Sequence, residues 1–266
     1  MPRFEARSEF DTIMPRTRKR RRSRSRTVTV LVGVIVLVAA LVYETSQLSK
    51  TRELQPYAPG LPLISVKAVP REISFHGCPP EGEGGDRELN LLKNRVDEGN
   101  YVTVDLSAAL ALPWPRSVER LPRRRWNSDD ARSVATYEGI PLSLEGYLAA
   151  AREEGPESTN CRDLEPETRD YHLWLVGSPG QDRSSSMVVE VSPRVRAGHP
   201  GWTIEAIEDL VHTREKVRIS GWLMLDPEHP DQVGKTRGTI WEIHPIMNIE
   251  VMRSDSWAPL ERIASR

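Results

Sequence analysis

The sequence predicts a mainly β protein with helices, a five-strand unit of order β-β-β-α-β-β standing behind an N-terminal transmembrane helix. Three observations lead there. Five strand-length runs lie between Pro141 and Val251, with one amphipathic helix between the third and the fourth. One apolar run, Val28–Tyr43 with Thr27 before it, is about 17 residues long and carries no charge, the short end of what spans a bilayer. The charge is also split. Residues 1–50 hold eleven Lys or Arg against four acids, whereas the remainder holds 26 basic and 34 acidic residues. A helix between strands three and four is the order of the OB-type barrel, which closes its own edges. Open α+β sandwiches share the element content.

The elements follow in order. Residues 1–15 lack periodicity and bury little. Arg16–Arg26, RTRKRRRSRSR, precedes the apolar run. By the positive-inside rule it stays in the cytoplasm and the C-terminal bulk is exported. A cleaved signal peptide is the rival, but the basic block lies far from the N-terminus and no clear A-x-A site follows. The basic block also suits contact with anionic lipid. Pro56, Pro59, Pro62 and Pro70 make an extended spacer of the next segment. The organisation is thus a basic tail over 1–26, a transmembrane helix over 27–43, a spacer over 44–74, a helical and loop extension over 75–135, the barrel over 136–253 and a tail over 254–266.

Within the extension, FHGCPPEGEGG is a Gly- and Pro-rich loop without the ligand spacing of a calcium loop. Asp86 caps a helix running towards Gly99, with Leu89, Leu92 and Val96 on one face. Tyr101–Leu106 is a short strand. Arg116, Arg120 and Arg123–Arg125 with Trp114 and Trp126 read better as Arg stacked on Trp and paired with acids than as a phosphate patch. Ser128 caps a second helix. The barrel strands are Pro141–Glu153, Asp170–Val176, Ser186–Val195, Val217–Leu225 and Thr239–Val251. Thr203 caps the helix between the third and fourth, and Gly146 relieves crowding where the first strand coils. Cys78 and Cys161 are the two cysteines, an even count read as a disulfide in an exported domain that ties the Gly-rich loop to the turn after the first barrel strand, with two free thiols as the alternative.

Chemistry-bearing residues concentrate in the barrel. Asp170, His172, Glu190, His229, Glu242 and His244 are carboxylates and imidazoles that suit a divalent metal such as Zn²⁺ or acid–base work, with His172, His244 and Glu242 as metal candidates. Strand alternation sets Asp170 with His172 on one face, and it turns Glu242 and His244 towards a polar groove while Trp241 and Ile243 face the core. Polar residues on a wet strand face explain the same pattern without function. In the loop DPEHPDQVGKTRG, Lys235 and Arg237 are placed to meet an anionic or sugar ligand. The VGKT piece is no P-loop, because His229 stands where glycine is needed and a strand follows. Trp174, Trp202, Trp222 and Trp241 are either core or stacking platforms. No HExxH or GxSxG motif is present.

The segments GCPPEGEGGDRELNLLKNR, EGYLAAAREEGPESTNC, DYHLWLV and GWLMLDPEHPDQVGKTRGTIWEIHPI resemble a group of uncharacterised bacterial proteins over about residues 75–251. The last segment is similar to a wider set of OB-like proteins ending in an E-x-HP strand. The resemblance implies a fold and no activity. The expectation from sequence is a non-enzymatic, membrane-anchored, extracytoplasmic OB-like binding module without a cofactor. Its partners would be membrane lipid and a peptide, glycan or envelope protein, and nucleic acid is not expected. The alternative is a metal-dependent hydrolase, nucleases included, built on the His/Glu/Asp cluster.

Overall fold

The computed structural model describes residues 74–264. The expected basic tail, transmembrane helix and all but the last residue of the spacer lie outside the described residues. No helix among the described residues is long and apolar enough to cross a membrane.

The elements are α1 (Arg87–Lys93), β1 (Val102–Val104), α2 (Leu106–Leu110), α3 (Ser128–Ala135), β2 (Pro141–Glu153), β3 (Tyr171–Val176), β4 (Met187–Val191), α4 (Pro193–Arg196), α5 (Ile204–Thr213), β5 (Lys216–Leu225), β6 (Trp241–Arg253), β7 (Ser256–Pro259) and α6 (Glu261–Ala264). Around the sheet the order runs β2-β3-β4-β6-β5, and β5 pairs back onto β2. The barrel is therefore closed by five strands. All its pairings are antiparallel except β4 with β6, where Val188 faces Glu242 and Val189 faces Ile243. With α5 between the third and fourth barrel strands, this is the OB strand order expected from the sequence.

Alternation decides the core. Leu142, Leu144, Leu173, Leu175, Val189, Ile219, Leu223, Trp241 and Ile243 point inward and join one apolar cluster. Thr203 caps α5 by accepting from the Ala206 amide at 3.2 Å, and Ile207 and Leu210 are buried. The backbone of β3 comes so close to Gly146 that a Cβ there would lie 2.5 Å from the Val176 carbonyl. Just beyond, the β2–β3 register shifts between Leu148 and Ala150, the bend at which the first barrel strand wraps.

Several boundaries differ from the sequence reading. Helix α1 stops at Lys93 instead of running towards Gly99. Asn94 ends it, donating 2.9 Å hydrogen bonds to the Pro80 and Thr159 carbonyls. Helix α3 is capped by Asn127, not Ser128, because the Asn127 side chain accepts from the Asp129 and Asp130 amides. The third barrel strand ends at Val191, since Ser192 caps α4 and Pro193 takes a first-turn position that suits it. Residues 254–264, expected as a tail, join the barrel: β7 pairs with β6, and Leu260 is buried in the core. Strand β1 pairs in parallel with β2, so the extension joins the sheet.

Part of the arginine-rich segment behaves as the sequence suggested, whereas Arg124 and Arg125 are exposed. Arg123 is buried in a two-bond ion pair with Glu138 at 2.6 and 2.8 Å and lies 4.7 Å over Trp126. Arg116 covers Trp114 and pairs with Glu119.

Candidate functional site

The outward-facing side chains of β3, β4 and β6 are where the chain departs from an ordinary wet barrel wall. His172 on β3 lies opposite Glu190 on β4 in the register. Extending the parallel register by one alternation sets Glu190 beside His244 on β6. These side chains are largely shut away from solvent, His172 being 8% exposed. The segment from Phe75 to Asn94 and the β2–β3 loop cover them, and Glu190, Glu242 and His244 are at most 1% exposed.

The cover is held by specific contacts. Cys78 and Cys161 form a disulfide, joining the Gly-rich loop to the turn after β2 as expected. Asn90 donates to the Glu81 and Gly84 carbonyls and accepts from the Thr159 hydroxyl at 3.0 Å. Gly82, with φ +64°, lets this loop touch the Ser158 carbonyl, which would lie 2.2 Å from any Cβ placed there. Leu89 and Leu92 of α1 pack with Met224 of β5, a second apolar cluster outside the barrel.

Beneath it lies a network of charges. Glu190 reaches two imidazoles, His172 Nε2 and His244 Nδ1, each at 2.8 Å. His172 Nδ1 lies 3.0 Å from Glu154, and His244 Nδ1 lies 3.6 Å from Glu242. Arg237 contacts Asp226 at 2.9 Å and Glu242 at 3.4 Å, and His229 contacts Asp226 at 2.7 Å. Lys93 enters from α1, 3.4 Å from Glu157. Asp170 accepts from Asn160 through Oδ2 at 3.0 Å.

Burial opposes each of these charges and the neighbours decide the outcome. Burial lowers the His172 imidazole, but Glu190 and Glu154 raise it to about 10. For His244 burial again lowers, and Glu190 and Glu242 carry it up to about 9. Burial and the Glu157 charge push Asp170 up to about 7. Burial also raises Glu242, joined by Glu190 and Asp226. Glu190 goes the other way: burial raises it, but His172 and His244 hold it well below the carboxylate range. The Lys93 ammonium, lowered by burial, is raised overall by Glu157, Glu190 and Glu242.

Of the eight candidate residues, Asp170, His172, Glu190, Glu242 and His244 converge, and Arg237 and His229 join them through Asp226 and Glu242. Lys235 does not; it is exposed on the β5–β6 loop. Arg237 is 1% exposed and engaged by two carboxylates, so it is placed to hold the network and not to meet a ligand. The expected faces of β6 are correct, with Trp241 and Ile243 inward and Glu242 and His244 outward. The expected open groove is not there, because the N-terminal extension lies over it. Trp174, Trp202, Trp222 and Trp241 are all 6% exposed or less, which removes them as stacking platforms. Among the metal candidates, His244 belongs to the set whose donor atoms lie within 4.8 Å of one another, with Asp170 and Glu190 in place of His172 and Glu242. Sequence reasoning missed Lys93, Glu154, Glu157 and Asp226. Lys93 alone gave a signal, as a lysine one position beyond the apolar Leu92 of a capped helix.

A surface cavity of about 310 Å³ lies apart from these residues, lined by Phe75, His76, Glu167, Tyr171, Arg196 and Trp202 among others. Arg196 lies 4.0 Å over Tyr171 and donates to the Arg169 carbonyl at 2.9 Å.

No family model matches the chain, and no curated protein matches it. Among solved structures, a chain from the crystal structure of yeast Stn1 and Ten1 matches at 13% identity and a TM-score of 0.33, covering 69% of this chain and 77% of that one. The expectation that sets nucleic acid aside as a partner is corrected at this point. The strand order gives the physical reason. An OB barrel meets oligonucleotides or oligosaccharides through one face and its loops, so the net charge of the whole soluble part does not decide. Lipid and envelope-protein partners find no support among the described residues.

Proposed function

We propose that this chain is an OB-type binding module, carried at a membrane by residues 27–43 with the barrel on the extracytoplasmic side. The observation that carries the binding role is the closed β2-β3-β4-β6-β5 order with β4 parallel to β6. That architecture binds ligands through the loop between its first two strands and the loop between its last two. Here these are residues 154–170 and 226–240. The cavity beside Glu167 and Tyr171 adjoins the first of them and is the proposed ligand position. The Cys78–Cys161 disulfide supports an oxidising compartment, and the uncharged run behind a basic block supports the anchor.

The hydrolase alternative keeps its donor set but lacks access. Glu190, Glu242 and His244 lie under a disulfide-tied cover, and no substrate atom reaches them in this arrangement.

The binding test titrates full-length protein in detergent with labelled single-stranded oligonucleotides and, separately, with oligosaccharides. Saturable binding by one class, weakened by His76→Ala at the cavity rim, is the expected result. Absence of binding by both classes overturns the reading. The topology test is a pair of C-terminal reporters. Activity from a reporter that works only in the cytoplasm overturns the extracytoplasmic placement.

A further inference from the structure

Asp170, Glu190 and His244 stand on three adjacent strands of the barrel wall. Asp170 immediately precedes β3, Glu190 lies on β4 and His244 on β6. Each is 1% exposed or less. Each offers one donor atom, and the three donors lie within 4.8 Å of one another.

Their hydrogen bonding is incomplete in a specific way. Asp170 Oδ1, Glu190 Oε2 and both ring nitrogens of His244 are buried without a hydrogen-bond partner. His244 Nδ1 and Glu190 Oε2 are 2.8 Å apart, yet they are not aligned as donor and acceptor. A buried polar atom with no partner is costly, and each of these three residues, whose donors lie within 4.8 Å of one another, carries at least one. Donors bonded tetrahedrally to one ion at about 2.0–2.2 Å stand about 3.3–3.6 Å apart, a spacing inside the 4.8 Å that holds these three.

We propose that Asp170, Glu190 and His244 form a buried site for a divalent first-row transition metal, Zn²⁺ or Mn²⁺. Two carboxylates and an imidazole are the donor chemistry such ions take. The surroundings fit a held ligand set. The other oxygen of Asp170 accepts from Asn160 at 3.0 Å, and the other oxygen of Glu190 lies 2.8 Å from His172 Nε2, which like His244 Nδ1 is buried without an aligned hydrogen-bond partner. Such outer contacts orient the ligands of a metal. Charge points the same way. Glu154, Glu157, Asp170, Glu190, Asp226 and Glu242 are gathered there with Lys93, Arg152 and Arg237 as their paired permanent cations, and among the described residues Glu190 itself is paired with no lysine or arginine in an ion pair. Metal binding to such ligands releases the protons they carry. Because the site is covered, the ion ties β3, β4 and β6 together and does no hydrolysis. This inference does not depend on which ligand the barrel binds.

The test uses the full chain with any affinity tag removed, stripped by chelator and then titrated with ZnCl₂ or MnCl₂ alone. The readouts are metal per chain, proton release and thermal midpoint. One equivalent of metal, a raised midpoint and release of protons are expected. Asp170→Asn and Glu190→Gln abolish stoichiometric uptake, His172→Gln weakens it by roughly 10–100-fold, and Lys235→Ala leaves it unchanged. X-ray absorption of loaded wild-type protein gives an oxygen and nitrogen shell without sulfur, a readout that needs no variant to fold. Wild-type protein that takes up neither metal with any change in midpoint overturns the proposal, as does full uptake by Asp170→Asn.

Discussion

Glu190 lies 2.8 Å from His244 across the parallel pairing of β4 with β6, and both side chains are shut away from water. The two residues are 54 positions apart in sequence and are neighbours only because the fourth and sixth strands run side by side. Groups that share a buried contact of this kind do not contribute independently. In a double-mutant cycle of Glu190→Gln and His244→Gln, followed by urea unfolding, the coupling is expected to be about 0.5–3 kcal/mol. Strict additivity would show that the pair acts through separate neighbours.

Trp241 occupies the opposite side of the same strand. It is fully buried, meets Tyr137 edge-on at 6.1 Å and donates to the Pro113 carbonyl at 3.2 Å. Trp241→Ala should cost about 3–5 kcal/mol through lost burial and the cavity left behind. His244→Ala should cost a similar amount, about 3–5 kcal/mol, because carboxylates would stay buried without their counter-charge. An open groove would have made the second change mild. Chemical denaturation of both variants checks the two values, and a neutral His244→Ala would contradict the observed burial.

The disulfide closes a separation of 83 residues. In the chain-entropy account, removing it through Cys78→Ser with Cys161→Ser costs roughly 4–5 kcal/mol. Hydrogen exchange should rise first in the cover over residues 78–94 and in the turn around Ser158–Cys161. Exchange that rises uniformly over the barrel strands would mean that the cover is not a separate unit of stability.

Gly82→Ala tests the cover without touching a charge. Its positive φ and the 2.2 Å approach of a Cβ to the Ser158 carbonyl make the substitution strained on two counts. A loss of about 1–3 kcal/mol is expected. A thermal midpoint equal to that of the wild type would show that the loop yields freely.

The Asp226–His229 contact gives a pH dependence whose sign follows from its two partners. Burial raises the Asp226 carboxyl, but the His229 hydrogen bond and the Arg237 charge hold it well below its ordinary value. Its folded pKa is depressed, so its contribution is present above about pH 4 and is lost as pH falls through the folded value. The hydrogen bond to Asp226 raises His229, against burial. That contribution is complete below about pH 6.5 and is lost as pH rises through the raised value. The pair therefore supports the fold most between about pH 4 and pH 6.5. His229→Gln should flatten the alkaline fall of the thermal midpoint and reduce the acid limb to the part that Arg237 sustains. An unchanged alkaline limb would place the responsible proton elsewhere.

By itself the sequence determined the local order of this protein. Period-two alternation in WEIHPI set Trp241 and Ile243 against Glu242 and His244, and the helix capped by Thr203 divided the strands into three and two. That was enough for a barrel of OB order, because alternation and capping are properties of neighbouring residues. The carboxylates and histidines were legible as residue types on outward faces. What surrounded them was not. Only the tertiary structure decided that residues 75–94 lie across the wall, that Lys93 enters beneath them, and that Asp226 binds Arg237 to the cluster. Those contacts join segments far apart in the chain, and no local pattern encodes which distant segment covers an outward face. A polar strand face reads the same in sequence whether water or another piece of the chain lies against it.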